Sequence, residues 1–124
     1  MNNKKDFQKR LDDIKLTNGW ISRVPIIHPD IINITQKLLN ELSNEDLENW
    51  SIEPFPNGTI MLSYEHENDH IVINITQSGM AYTFHKSSSV GEVGQHLFNT
   101  KDIHTDDGYS KMKYLIQNAK TLHY

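Results

Sequence analysis

The chain has 124 residues, a formal charge of −4, seven His and no Cys. That length suits one domain with a core of its own, and the missing Cys excludes disulfides, thiolate metal sites and a Cys nucleophile. No apolar run approaches a membrane span, and the charged start Met1–Asp6 lacks the apolar stretch of a secretory signal, so a cytoplasmic location is expected.

Ile, Leu, Val and Phe make up 32 residues, enough to fold. Only two Arg are present, which weakens nucleic-acid readings, because Arg makes most bidentate phosphate and base contacts.

Asn3 to Leu16 reads as a helix, with Phe7, Leu11 and Ile14 on one stripe and Asn3 as its expected N-cap. Thr17-Asn18-Gly19 ends it through a left-handed residue. A second helix is expected over 29–43, starting at Pro29, with Ile31, Ile34, Thr35, Leu38 and Leu42 as its buried stripe. From Trp50 onward the period becomes two. Strands are expected over about 50–55, 59–66, 70–76 and 80–86, separated by Pro56-Asn57-Gly58, Glu67-Asn68-Asp69 and Gln77-Ser78-Gly79. Residues 87–105 read as irregular, and a last helix is expected over 107–122, with Tyr109, Met112, Leu115, Ile116, Ala119 and Leu122 on one face. The fold class is therefore α+β: a single domain, 1–124, with an antiparallel meander of about four strands. Two N-terminal helices and one C-terminal helix are expected on one face of it.

Charge is unevenly spread. Between Leu38 and His85 there is no Lys or Arg, while Glu41, Glu45, Asp46, Glu48, Glu53, Glu65, Glu67 and Asp69 are acidic. The open sheet face should be neutral to acidic, which disfavours phosphate ligands; it reads as a solvated face that keeps the domain soluble, the alternative being a docking face for a basic partner protein.

The string His66-Glu67-Asn68-Asp69-His70 satisfies H-E-x-x-H. In zinc hydrolases one helical turn brings both His to one face and sets the Glu beside the metal-bound water. Here the string lies between two alternating runs, where Asn68-Asp69 reads as a turn. His66, Glu67 and His70 are thus the metal candidates of a small-hydrolase alternative; no third ligand is obvious, since Glu92 and His96 fall downstream in the stretch read as irregular. The other His (His28, His85, His96, His104, His123) are scattered, with His85 and Thr83 on the open sheet face. Ser87-Ser88-Ser89 lacks the shaped turn of a Ser nucleophile, and Gly91-Glu92-Val93-Gly94 lacks the Lys of a phosphate loop. No catalytic residue and no cofactor is implied. Trp20 and Trp50 are both expected to pack in the core, the alternative for Trp20 being a binding surface.

Asn18-Gly19-Trp20, Pro25, the run Ile52-Glu53-Pro54-Phe55-Pro56-Asn57-Gly58-Thr59-Ile60-Met61-Leu62-Ser63-Tyr64, then Ile71–Ile75 and Tyr82 resemble a family of small uncharacterised bacterial proteins. In that family a G-W segment and a helix precede P-x-P-x-G-x-I-x-L-E-W. The resemblance spans about 18–116. It implies the fold, brings no catalytic residue, and places the segment after Tyr64 at a variable hairpin turn. It also implies small bacterial proteins sometimes encoded beside toxin–antitoxin-like or mobile-element genes. Ser63-Tyr64 stands in place of the usual Glu-Trp, and Ile21-Ser22-Arg23 in place of a Gly- and Tyr-rich stretch. The leading expectation is a non-enzymatic interaction or accessory module, antitoxin-like in one version. Its partner, or a second copy, would dock on the open sheet face or the 87–105 loop. The metal-dependent hydrolase comes second, and nucleic-acid binding through the basic first helix third.

Overall fold

The computed structural model describes residues 3–20, 23–55, 57–67, 69–77, 80–85, 93–96 and 106–119. The order of elements is α1 (Asn3–Thr17), α2 (Pro29–Glu41), β1 (Trp50–Phe55), β2 (Thr59–His66), β3 (Asp69–Ile75), β4 (Met80–His85), β5 (Val93–His96) and α3 (Asp106–Gln117). The chain is α+β with an antiparallel sheet in the order β1-β2-β3-β4-β5. β5 is one strand beyond the expected four and falls inside the stretch read as irregular; its backbone pairs with β4 from Tyr82↔His96 to His85↔Val93. Two Gly bracketing Val93 hid it, since Gly weakens any strand signal. The remainder of 87–105 lies outside the described residues, as does 120–122 of the last expected helix.

Period-two alternation sorts the sheet into two faces. Ile52, Leu62 and Ile73 stand opposite one another across three strands, as do Trp50, Tyr64 and Ile71. All are buried. The opposite face carries Met61, Ser63, Val72 and Asn74, half-buried, and Ser51, Glu53 and Glu65, exposed. Phe7, Leu11 and Ile14 of α1, Ile31, Ile34, Leu38 and Leu39 of α2, and Tyr109, Met112, Leu115 and Ile116 of α3 join the sheet's buried residues in one core. The void left between Phe7, Leu62 and Trp50 is about 10 Å³, room for a single water at most. It is no ligand cavity.

Helix ends are closed by partners that the local sequence hides. Asn3 is not the N-cap of α1 but part of its first turn. The cap comes from Asn44, far along the chain, whose Oδ1 accepts from Lys4 N–H at 2.9 Å while its carbonyl accepts from Asn3 Nδ2 at 3.0 Å. Asn44 is held in place by a reciprocal Ser43–Asp46 pair, with Ser43 N–H donating to Asp46 Oδ2 and Asp46 N–H to Ser43 Oγ. In α2, Pro29 takes the first turn and the N-cap is His28, whose Nδ1 accepts from Asp30 N–H at 3.1 Å. The helix stops at Glu41, with Leu42 already extended.

β1 is a sheet edge, and its free side is guarded. Glu65 N–H donates to Asn49 O, so Asn49, Ser51 and Glu53 face β2, and Trp50, Ile52 and Pro54 face outward. Trp50 N–H is taken by Leu47 O, Ile52 O accepts from Arg10 Nε at 3.2 Å, and Pro54 has no N–H. Little remains there for a foreign strand to pair with.

α3 is tied to α2 by charge. Tyr109 Oη donates to Glu41 Oε1 at 2.8 Å, Lys113 Nζ does so at 3.2 Å, and Lys37 Nζ stands 4.2 Å from the Tyr109 ring centre. The Tyr109 and Lys113 hydrogen bonds hold the Glu41 carboxyl below the usual range, while burial and the Glu41 bond push the Tyr109 phenol up. A carboxylate with a depressed folded-state pKa stabilises above its unfolded pKa and loses that contribution as pH falls. A phenol with a raised pKa contributes below its unfolded value and loses it as pH rises. Glu41→Gln and Tyr109→Phe should therefore each flatten one limb of the stability profile, acid for Glu41 and alkaline for Tyr109, in thermal melts across pH. Met112→Ala, fully buried, should cost about 2–5 kcal/mol. Tyr114→Ala on the exposed side should stay within about 0.5 kcal/mol in denaturant titration.

Candidate functional site

The H-E-x-x-H string forms a hairpin, and the hairpin separates it. His66 ends β2 and pairs with Asp69, while His70 of β3 pairs with Glu65. Neighbours along a strand face opposite sides, so His66 and His70 lie on opposite faces of the ribbon. Glu67 occupies the two-residue turn at φ +57°. His66 Nδ1 lies 3.5 Å from Asn49 Nδ2, and His66 Nε2 lies 3.9 Å from Glu67 Oε1. His70 Nδ1 lies 3.4 Å from Glu65 Oε1. The helical face that the zinc-hydrolase mechanism requires is not formed. Among the described residues no three His, Asp or Glu side chains converge on a point. Glu92, His104, His123 and Ser87–Ser89 lie outside the described residues.

The basic first helix is largely occupied with its own fold. Lys4 Nζ reaches Asn40 O, Arg10 caps β1, and Lys15 meets Gln36 and Asp12. A phosphate backbone would compete with these contacts.

The pronounced surface feature is at the other end of the sheet. Among the described residues the large apolar side chains most exposed are Trp20 at 70%, Ile26 at 67% and Leu16 at 66%, with Phe55 and Val24 beside them less exposed. Trp50 is buried and stacks at a tilt on Tyr64, ring centres 5.4 Å apart. Trp20 is not in the core. The reason is local: Gly19 at φ +87° turns the chain out of α1 before Trp20. The loop so begun returns at Ile27, which is buried.

This loop is anchored at both ends. The Asn18 side chain mimics a strand neighbour toward Ile27, accepting from its N–H at 2.9 Å and donating to its carbonyl at 3.0 Å. Below it sits the β1–β2 turn. Gly58, at φ +83°, lies so close that a Cβ there would meet Pro25 Cβ at 3.1 Å and the Ile26 carbonyl at 3.3 Å. Thus Gly19, Trp20, Pro25, Pro54 and Gly58, dispersed over forty positions of sequence, belong to one assembly. Between loop and strand runs a groove of about 260 Å³ whose walls include Ile14, Val24, Pro25, Pro54 and Phe55. Among the described residues its lining is mostly apolar, with Thr17 and Asn18 as the polar members, which suits an apolar side chain as occupant.

Sequence reading missed Leu16, Ile26 and Phe55 as surface residues. Two signals were present: Leu16 lies off the Phe7–Leu11–Ile14 stripe, and Ile26 adjoins buried Ile27 without alternation between Pro25 and Pro29.

Two measurements test this geometry. Glu67→Asn, which suits a left-handed turn position better, should raise stability by about 0.5–1 kcal/mol. Gly58→Ala should instead destabilise by about 1 kcal/mol or more, because it adds strain at positive φ to a clash with Pro25.

Compared with protein-family models, with curated proteins and with solved structures, the chain finds no match, so its function is read from its own residues.

Proposed function

We propose that this chain is an intracellular, non-enzymatic interaction module that docks a partner protein through the Trp20 loop. The partner would present an apolar or aromatic side chain to the groove beside it. The observation that carries this reading is the exposure of Trp20 and Ile26 on a loop clamped by Asn18 and seated on Gly58. Large apolar side chains held out of the core lose water on docking, which is the pattern of interface hot spots. In this reading the three helices cover one sheet face, and the polar face opposite stays in water. An antitoxin-like role, in which the docked partner is held inactive, falls within the same reading and follows from the resemblance.

The test is capture by the untagged chain from its native host, followed by sedimentation of the purified complex. Trp20→Ser with Ile26→Ser should leave the melting temperature within a few degrees, since both positions are exposed. It should weaken the complex by about 2 kcal/mol or more, roughly thirtyfold. A complex of unchanged affinity in the double variant overturns the assignment. If the wild type instead forms a concentration-dependent dimer that the variant loses, the occupant is a second copy. In a Trp50→Phe background, Trp20 should emit like a solvated indole and be quenched by acrylamide until the partner is added.

A further inference from the structure

The surface around Trp20 carries both a projection and a recess. Trp20, Val24, Ile26 and Phe55 are exposed there, together with Pro25 and Pro54. All of these except Ile26 also wall the groove of about 260 Å³. A patch that holds both the projecting side chains and the space to receive them can match its own copy about a two-fold axis, as an isologous dimer requires. Resting on the reading of this surface as a docking site, we propose that a second copy of the chain closes it when no other protein occupies it. Each copy then presents Trp20 and Ile26 to the groove of the other.

Charge favours a copy as the occupant. A charged patch repels its own image, but none of the described residues lining this groove is charged, although the whole chain carries a formal −4. Arg23, exposed on the same loop, stands outside the lining. Two copies therefore meet at the groove without burying like charges against one another. Area sets the strength. At the exposures found, these side chains offer roughly 500 Å² of apolar surface, the size of the largest patch on an ordinary monomer. Paired about a two-fold axis they remove about 1,000 Å² from water, at the low end of what a specific interface buries. That suits a reversible dimer and falls short of a permanent one, so the dissociation constant should lie at roughly 10–1,000 μM. At the lower concentrations of a fluorescence measurement the chain is then monomeric and Trp20 is solvated. A two-fold pair uses up both patches, so assembly stops at two.

The experiment is sedimentation equilibrium of the full, untagged chain, from well below to well above that concentration range. The wild type should pass from monomer to dimer and grow no further. Trp20→Ser with Ile26→Ser should weaken dimerisation by roughly thirtyfold or more. Tyr114→Ala, at an exposed position of α3 outside the patch, should leave it unchanged. Added salt should strengthen the dimer, because it screens the negative charge of the two copies and leaves apolar contact intact. Circular dichroism checks that each variant is folded, and Trp20→Ser alone replaces the double variant where that one is not. A wild type that stays monomeric throughout overturns the pairing. So does growth beyond the dimer, a dimer that salt dissolves, or one that the folded Trp20 variants retain. A monomeric wild type that still binds another protein through Trp20 overturns the pairing alone. Indifference of every complex to the Trp20 variants overturns the docking reading with it.

Discussion

Alternation along β2 and β3 puts Ile60, Leu62 and Tyr64, with Ile71, Ile73 and Ile75, on one face, and none of the six is more than 3% exposed. A one-residue slip would turn all of them into water and bring Met61, Ser63, Glu65, Val72 and Asn74 inward. Each Ile or Leu so exposed would forgo about 1.5–3 kcal/mol of burial, far more than any surface hydrogen bond returns. The register is therefore held by the core and not by the turn, which explains why the hairpin tolerates Glu67 at positive φ. The same constraint decides the fate of the histidines. With Tyr64 and Ile71 required inside, His66 and His70 are sent to opposite faces, and His70 is brought beside Glu65.

The two ends of the sheet carry different surfaces because different loops close them. At the end where β1 begins, the turn after α2 and the β2–β3 hairpin bring Glu45, Asp46, Glu48, Glu65, Glu67 and Asp69 toward water, with no Lys or Arg in either segment. At the other end, the α1–α2 loop lies over the β1–β2 turn and exposes Trp20 and Ile26. The apolar end is rigidified by the Asn18 side chain, the left-handed Gly19 and the missing Cβ of Gly58.

Much of the fold was legible because its signals are local. The periods of two over β1, β2 and β3 and of 3.6 over α1 and α2 come from burial of one face, and Pro29 marks the start of α2 through its missing N–H. β5 was not legible, since four residues containing Gly94 carry no period. The cap of α1 was missed for another reason. Asn3 is a good capping residue by type, but it is Asn44, some forty residues away, that accepts from the Lys4 N–H in the first turn, and nothing local encodes that contact. The candidate sites divide likewise. H-E-x-x-H could be set aside as a helical motif from the strand signals around it, yet the grouping of Glu65 with His70 needed the register. Trp20 was misread as core because aromatic size argues for burial, whereas Gly19 and the Asn18 clamp hold it outside.

By itself, then, the sequence determined the class of fold and the faces that α1, α2, β1, β2 and β3 bury, because both depend on the spacing of apolar residues along a few turns or strand positions. It also determined a chemistry without Cys and a strand region without positive charge. Only the tertiary structure decided which residues far apart in the chain share a surface. The meeting of Asn18 with Ile27, Gly58 with Pro25 and Glu65 with His70 depends on loop closure and strand register. Those are set by the burial of the whole core at once and leave no periodic trace in any one segment.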